Sequence, residues 1–148
     1  MEDLVTQVRL QVLRRAIETG AVPSAAEVAT QLALPETAVE AAFRTLAETH
    51  VYVLEPGDPT RIRMANPFSA VPTAFAVTAG GRSYFGNCVW DALGIVSLLG
   101  GEGGVKTSCP DCGETLVLRV SEGRLVEAEG VVHFSVPARH WWDDILHT

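Results

Sequence analysis

Apolar side chains recur at three- and four-residue intervals through the first fifty residues. Leu4, Val5, Val8, Val12, Leu13, Ala16 and Ile17 form one stripe, which predicts an amphipathic helix over 3–19, with Gly20 as its stop. Ser24 followed by Glu27 has capping-box spacing and predicts a second helix over 25–32. Pro35 suits the first turn of a third helix, whose apolar positions are Val39, Ala42, Phe43 and Leu46. The pattern then shortens. Residues 51–54 (Val-Tyr-Val-Leu) read as a strand, Pro56-Gly57-Asp58-Pro59 as a turn, and 61–64 as a return strand. Three helices followed by a β-hairpin is the element order of a winged helix.

Pro67 and Pro72 mark 65–73 as an extended linker. A short strand at 74–78 and a turn at Gly80-Gly81 come next. Residues 88–99 are apolar all round (Val89, Trp90, Ala92, Leu93, Ile95, Val96, Leu98, Leu99), which predicts a buried helix. Gly100-Gly101 and Gly103-Gly104 end it. Strands are expected at 105–107, 115–120 and 131–136, with a further short one at 124–127. The fold class is therefore α+β: a winged-helix-like unit over 1–66, then a small mixed-sheet domain with a buried helix over 67–148.

Composition narrows the setting. A chain of 148 residues with 47% hydrophobic content is long enough to bury a core. No apolar run reaches membrane-spanning length, and no basic-then-apolar segment opens the chain, so the expectation is a cytoplasmic protein without a membrane partner. Three cysteines are too few, and odd in number, for a disulfide framework; thiols or metal ligands are expected instead.

Three constellations can carry chemistry. In Cys88-Val89-Trp90-Asp91 the i, i+3 spacing puts a thiol and a carboxyl on one helix face. A helix N-terminus favours the thiolate of Cys88, and apolar neighbours raise the pKa of Asp91. The alternative is a buried, inert Cys88 with Asp91 satisfying first-turn backbone donors. Cys109-Pro110-Asp111-Cys112-Gly113 is half of a metal knuckle. Zinc there needs two more ligands, with Cys88, Asp91, His133 and His140 as candidates; the alternative is a tight turn with two free thiols. Finally, His133 reads as a hydrogen-bonded core histidine on a strand, and Trp141-Trp142 as core or interface anchors, with Asp143-Asp144 capping a turn.

Taken together, these features resemble the alkylmercury lyase (organomercurial lyase) family, as a short, divergent member. The resemblance covers nearly the whole chain and is most specific over residues 61–93. Its central motif is a cysteine followed three residues later by an aspartate, in Asn87-Cys88-Val89-Trp90-Asp91-Ala92-Leu93. It implies protonolysis of a carbon–mercury bond: Cys88 as mercury ligand, Asp91 as proton-transfer group, an organomercurial as small-molecule partner, mercury as substrate and product, and no organic cofactor. Thiolate suits this role because mercury is a soft cation. The family also uses a second catalytic cysteine, and the only other cysteines here are Cys109 and Cys112. The expectation is that the sequence lacks the family's last strands, that Cys109 and Cys112 supply the second thiol, or that lyase activity is lost. A missing strand would leave a sheet edge open to a second copy, so a homodimer is also expected.

Two rival readings remain: a non-catalytic thiol protein binding mercury or zinc through Cys88, Cys109 and Cys112, and a metal-responsive winged-helix regulator. Charge argues against the regulator. The chain carries −7 overall, and residues 1–66 hold six Arg, no Lys and nine Asp or Glu. The third helix sets Glu36, Glu40 and Glu48 against Arg44. Phosphate contacts need a basic face. Duplex DNA titrated at moderate salt is expected to show no binding tighter than about micromolar. Salt-sensitive binding below that would revive the regulator.

Overall fold

The computed structural model describes residues 3–126 and 129–147. Three helices open the chain: α1 (Leu4–Thr19), α2 (Ala25–Leu32) and α3 (Glu36–Glu48). Asp3 caps α1 by accepting the Thr6 N–H at 2.8 Å. Ser24 and Glu27 form the complete capping box at the start of α2. β1 (Tyr52–Glu55), β2 (Asp58–Ala65) and β3 (Phe68–Ser69) make an antiparallel sheet in the order β1-β2-β3. The return strand is longer than its apolar pattern suggests, because Asp58 and Pro59 already lie in β2. Part of the expected linker is strand as well: Phe68 and Ser69 pair with Ala65 and Met64.

A second sheet runs β5-β4-β6-β7-β8, built from β4 (Ala76–Ala79), β5 (Arg82–Phe85), β6 (Gly103–Ser108), β7 (Thr115–Ser121) and β8 (Arg124–Val126). The helix α4 (Val89–Leu98) joins β5 to β6. Every pairing in this sheet is antiparallel, so the mixed sheet expected from the sequence is corrected. The crossover helix does join two strands of the same direction, but β4 lies between them and runs opposite to both.

Two cores result. The first gathers Val8, Val12, Val28, Val39, Phe43, Tyr52 and Ile62. The second gathers Phe68, Val77, Tyr84, Ala92, Ile95, Val96 and Val105 between α4 and the five-stranded sheet. α1 ties them together. Its Val8 and Val12 belong to the first core and its Ala16 to the second, while the Tyr84 hydroxyl donates to the Ile17 carbonyl at 2.8 Å. The expectation that α4 is buried on all sides holds for one face only: Trp90 is 72% exposed and Leu98 54%. Its sheet-facing residues, Ala92, Ile95 and Val96, are fully buried.

No strand forms at 131–136. Val131 is 93% exposed, and the segment leads through Pro137 into a 3-10 helix, Ala138–Asp143. The alternating valines find no neighbouring strand to pair with; instead Phe134 packs on Trp141, with ring centroids 5.0 Å apart. The short strand expected at 124–127 is present as β8, although Glu127 lies outside the described residues, as do the ends of the two expected domains at Met1 and Thr148.

Ile95 sits under α4 with no exposure, so Ile95→Ala is expected to cost about 2–5 kcal/mol. Leu98→Ala, on the open face, should change stability by no more than about 0.5 kcal/mol. Urea unfolding of both variants checks the difference.

Candidate functional site at the start of α4

The site is built by the turn from β5 into α4. Gly86 donates its N–H to the Phe75 carbonyl at 3.0 Å, and its own carbonyl accepts the Thr73 hydroxyl at 2.6 Å. A side chain at this position would collide with α4, since a Cβ on Gly86 would lie 2.6 Å from the Ala92 nitrogen. Glycine thus lets the chain pass directly under the first turn of the helix. Asn87 follows. Its Nδ2 donates to Asn66 Oδ1 at 3.1 Å and approaches the carbonyls of Pro67 and Phe68 at 3.4 Å each. This ties the start of α4 to the β2–β3 connection, where the Asn66–Pro67 peptide is cis.

Cys88 is the N-cap residue of α4, with extended backbone (φ −143°, ψ −179°). Its carbonyl accepts the Ala92 N–H at 2.9 Å, and its Sγ accepts the Asp91 N–H at 3.5 Å. The Asp91 side chain hydrogen-bonds both Cys88 and Asn87. The i, i+3 pair therefore shares one face, half-buried, and the thiol and carboxyl touch. Asn87 is the member of this cluster that the sequence reading did not single out; a polar residue directly before an N-cap is the only signal that could have flagged it. Its Oδ1 is buried with no partner among the described residues.

Burial dominates the electrostatics. It pushes the Asp91 carboxyl above the usual carboxylate range, against the pull of hydrogen bonds from Asn87 and Cys88. It also pushes the Cys88 thiol up, and the neighbouring Asp91 charge adds to that; the N–H groups of Asp91 and Trp90 pull the other way and lose. The expectation that the helix N-terminus makes Cys88 a ready thiolate is thus corrected. The helix amides do act on the sulfur, but desolvation outweighs them.

Cys109 and Cys112 occupy the hairpin loop between β6 and β7. The loop is closed by Cys109 N–H to the Glu114 carbonyl and Gly113 N–H to the Cys109 carbonyl, both 2.8 Å. Gly113 adopts φ 75°, a left-handed conformation that suits glycine. The backbone N–H groups of Cys112 and Asp111 and the Cys112 side chain all hydrogen-bond Cys109, and together they hold its thiol below the ordinary cysteine range.

The remaining candidates lie elsewhere. His133 is exposed, which corrects its expected place in a core, since the strand meant to bury it does not form. His140 pairs with Asp143 (2.9 Å) within the 3-10 helix. Trp141 Nε1 donates to the Val136 carbonyl at 2.8 Å. Trp142 stacks flat on His50, at 4.1 Å and 7°, and so anchors the tail to the helical unit. Among the described residues, no three His, Cys, Asp or Glu side chains converge to hold a metal ion. Cys88, Cys109 and Cys112 are thus not gathered into such a cluster, and among the described residues the Cys109–Cys112 pair has no third ligand beside it, where zinc takes four. Among the described residues, no helix is long and apolar enough to cross a membrane.

The opposite shifts of the thiols are measurable. In alkylation followed by mass spectrometry, Cys88 labelling should rise with pH only above the range of an ordinary cysteine, and Cys109 labelling below it. Removing the neighbouring charge with Asp91→Asn should move the Cys88 profile to lower pH and leave that of Cys109 in place. Coincident profiles for the two thiols would contradict the burial argument.

Comparison with known proteins sets this site in a family. The alkylmercury lyase profile matches residues 68–147. The solved mercury-bound form of MerB2 superposes with a TM-score of 0.64 at 23% identity, over 83% of this chain and 58% of that one. At that identity the likeness speaks to the fold, and this chain spans under two thirds of the other's length. No curated relative matches. The profile covers more than half of the chain, including Cys88, Asp91, Cys109 and Cys112, and the protein belongs to the alkylmercury lyase family.

Proposed function

We propose that the protein cleaves a carbon–mercury bond by protonolysis, with Cys88 as the capturing thiol and Asp91 as the proton carrier. The observation that carries this reading is the direct contact between the two side chains at the head of α4, both half-buried and both biased toward the protonated form. An organomercurial cation displaces the thiol proton of Cys88. Asp91, in contact with the sulfur, is the nearest base to take that proton. Once mercury is bound, the same proton is held beside the Hg–C bond by a carboxyl whose burial favours keeping it. Delivery to carbon releases the hydrocarbon and leaves the ion on sulfur. The proton balance closes within the pair, because the proton lost by Cys88 is the one carbon gains, and no organic cofactor enters.

Asn87 fits this reading as the group that aims Asp91. It bonds the carboxyl on one side and the β2–β3 connection on the other. Trp90 lies exposed one residue before Asp91 and offers an apolar surface for the organic group.

The purely thiol-binding alternative keeps capture and drops release, so one experiment separates the two. The protein is incubated with phenylmercury, and benzene release and bound mercury are measured together. The intact chain should release benzene. Cys88→Ser should lose both capture at α4 and release. Asp91→Ala should retain capture and slow release by about 10²–10⁴-fold, the usual contribution of a positioned acid. Capture without release in the intact chain would leave the binding reading, and release unaffected by Cys88→Ser would remove the assigned site.

A further inference from the structure

The sheet register brings two separate thiol groups to one end of the molecule. Phe85, Ala76, Lys106 and Val117 form one row across β5, β4, β6 and β7. β5 and β6 both run toward this row and past it. Past the row, the β5 chain continues as Gly86, Asn87 and Cys88, and the β6 chain as Thr107 and Ser108, the end of the strand, and then Cys109. The two chains are separated by β4 alone, so they emerge about two strand spacings apart, on the order of 10 Å. That is too far for Cys88 and the hairpin pair to share an ion as they stand, in keeping with the absence of any three-ligand cluster among the described residues. The register does put both thiol groups at the same end of the sheet.

What the hairpin adds over Cys88 is a second sulfur in contact with the first and one fully exposed thiol. Cys112 is exposed and Cys109 partly so, and both are free. Their side chains touch, and the loop turns two backbone N–H groups onto the Cys109 sulfur. Two adjacent sulfurs on a tight turn are half of what zinc needs, yet they complete the coordination of a soft d10 ion that accepts two thiolates.

We propose that Cys109 and Cys112 form a two-thiol site for Hg²⁺, distinct from Cys88 and Asp91, which receives the ion left on Cys88. The transfer is a ligand exchange with no redox step. The Cys109 thiolate bonds to mercury held as Cys88–S–Hg–X, where X is an anionic ligand. Cys112 then adds its sulfur and gives up its proton. The Hg–Cys88 bond and the Hg–X bond break, the proton passes to the Cys88 sulfur, and X⁻ departs. The products are a free Cys88 thiol and Cys109–S–Hg–S–Cys112. Chelation drives the exchange, since the second sulfur binds intramolecularly at high effective concentration. It also restores Cys88 for another capture.

The origin of the ion on Cys88 rests on the function proposed above, whereas the affinity of the pair does not. The test therefore uses HgCl₂ alone. The intact protein is loaded with one equivalent of HgCl₂, challenged with excess glutathione, and alkylated for mass spectrometry. Cys109 and Cys112 are expected to be protected and Cys88 labelled. Cys88→Ser should retain mercury as well as the intact chain does, while Cys109→Ser and Cys112→Ser should each release it at about 100-fold lower glutathione, the loss expected for breaking a chelate. Protection of Cys88 with labelling of the pair, or labelling of all three thiols, would overturn the proposal, as would unchanged retention in either single hairpin variant. Because the first measurement uses the unmodified chain, a folding defect in a variant leaves the outcome decidable. A protein that protects the pair yet releases no hydrocarbon from phenylmercury would retain this site and lose the lyase reading.

Discussion

The close approach of Gly86 to the first turn of α4 is the constraint on which the chemistry depends. With no side chain at 86, the backbone leaving β5 runs against the Ala92 nitrogen and must turn at once into the helix. That turn makes Cys88 the N-cap, and the N-cap geometry brings the Asp91 amide and carboxyl to the sulfur. The same junction is pinned from the other side. Asn87 binds the β2–β3 connection, Phe68 bridges to Gly86, and Thr73 holds the Gly86 carbonyl. Position and protonation of the reactive pair are consequences of how one strand is forced to end.

The helical unit matters to this arrangement through packing. α1 supplies Ala16 to the core beneath α4 and a carbonyl to the Tyr84 hydroxyl, so it braces β5 just before the turn. Trp142 stacking on His50 closes the tail over the same unit. A three-helix unit followed by a hairpin is the element order of many DNA-binding modules; here residues 1–66 hold nine Asp or Glu against six Arg, and the apolar stripe of α1 is spent on both cores.

What could be read from the sequence follows from the range of the forces involved. Helix periodicity, the Ser24–Glu27 box and the i, i+3 relation of Cys88 and Asp91 are local, and the structure places all three where the spacing puts them. The alternation at 131–136 predicts a strand that does not form, because alternation says nothing about whether a partner strand is available. Arg82-Ser83-Tyr84-Phe85 has little apolar pattern of its own, and pairing with β4 is what makes it a strand. The direction of the Cys88 shift has a related cause. Helix polarity is visible in the sequence, whereas burial of the sulfur, which dominates, depends on how elements pack. Asn87 escaped notice because its partners lie about twenty residues away along the chain.

Burial sets a trade-off within the reactive pair. The burial that raises the Asp91 pKa, and so favours holding a proton there once it is taken up, also raises that of Cys88, which slows unassisted attack of the thiol on mercury. An adjacent carboxylate worsens this while it stays charged, and relieves it once it accepts the thiol proton. Under the proposed function, capture and acid loading are a single event: the sulfur becomes anionic toward mercury as Asp91 becomes neutral, and no isolated charge is left in the half-buried site. A thiolate activated mainly by helix amides would capture faster but would leave Asp91 ionised and without a proton to deliver. The hairpin thiols sit at the other extreme. Cys112 is exposed and backbone N–H groups bond the Cys109 sulfur, an arrangement that suits binding. The proposed division of the three cysteines, one thiol beside a half-buried carboxyl and two together in an open hairpin, follows from their placement on opposite sides of β4, at the end of the sheet where both connections emerge.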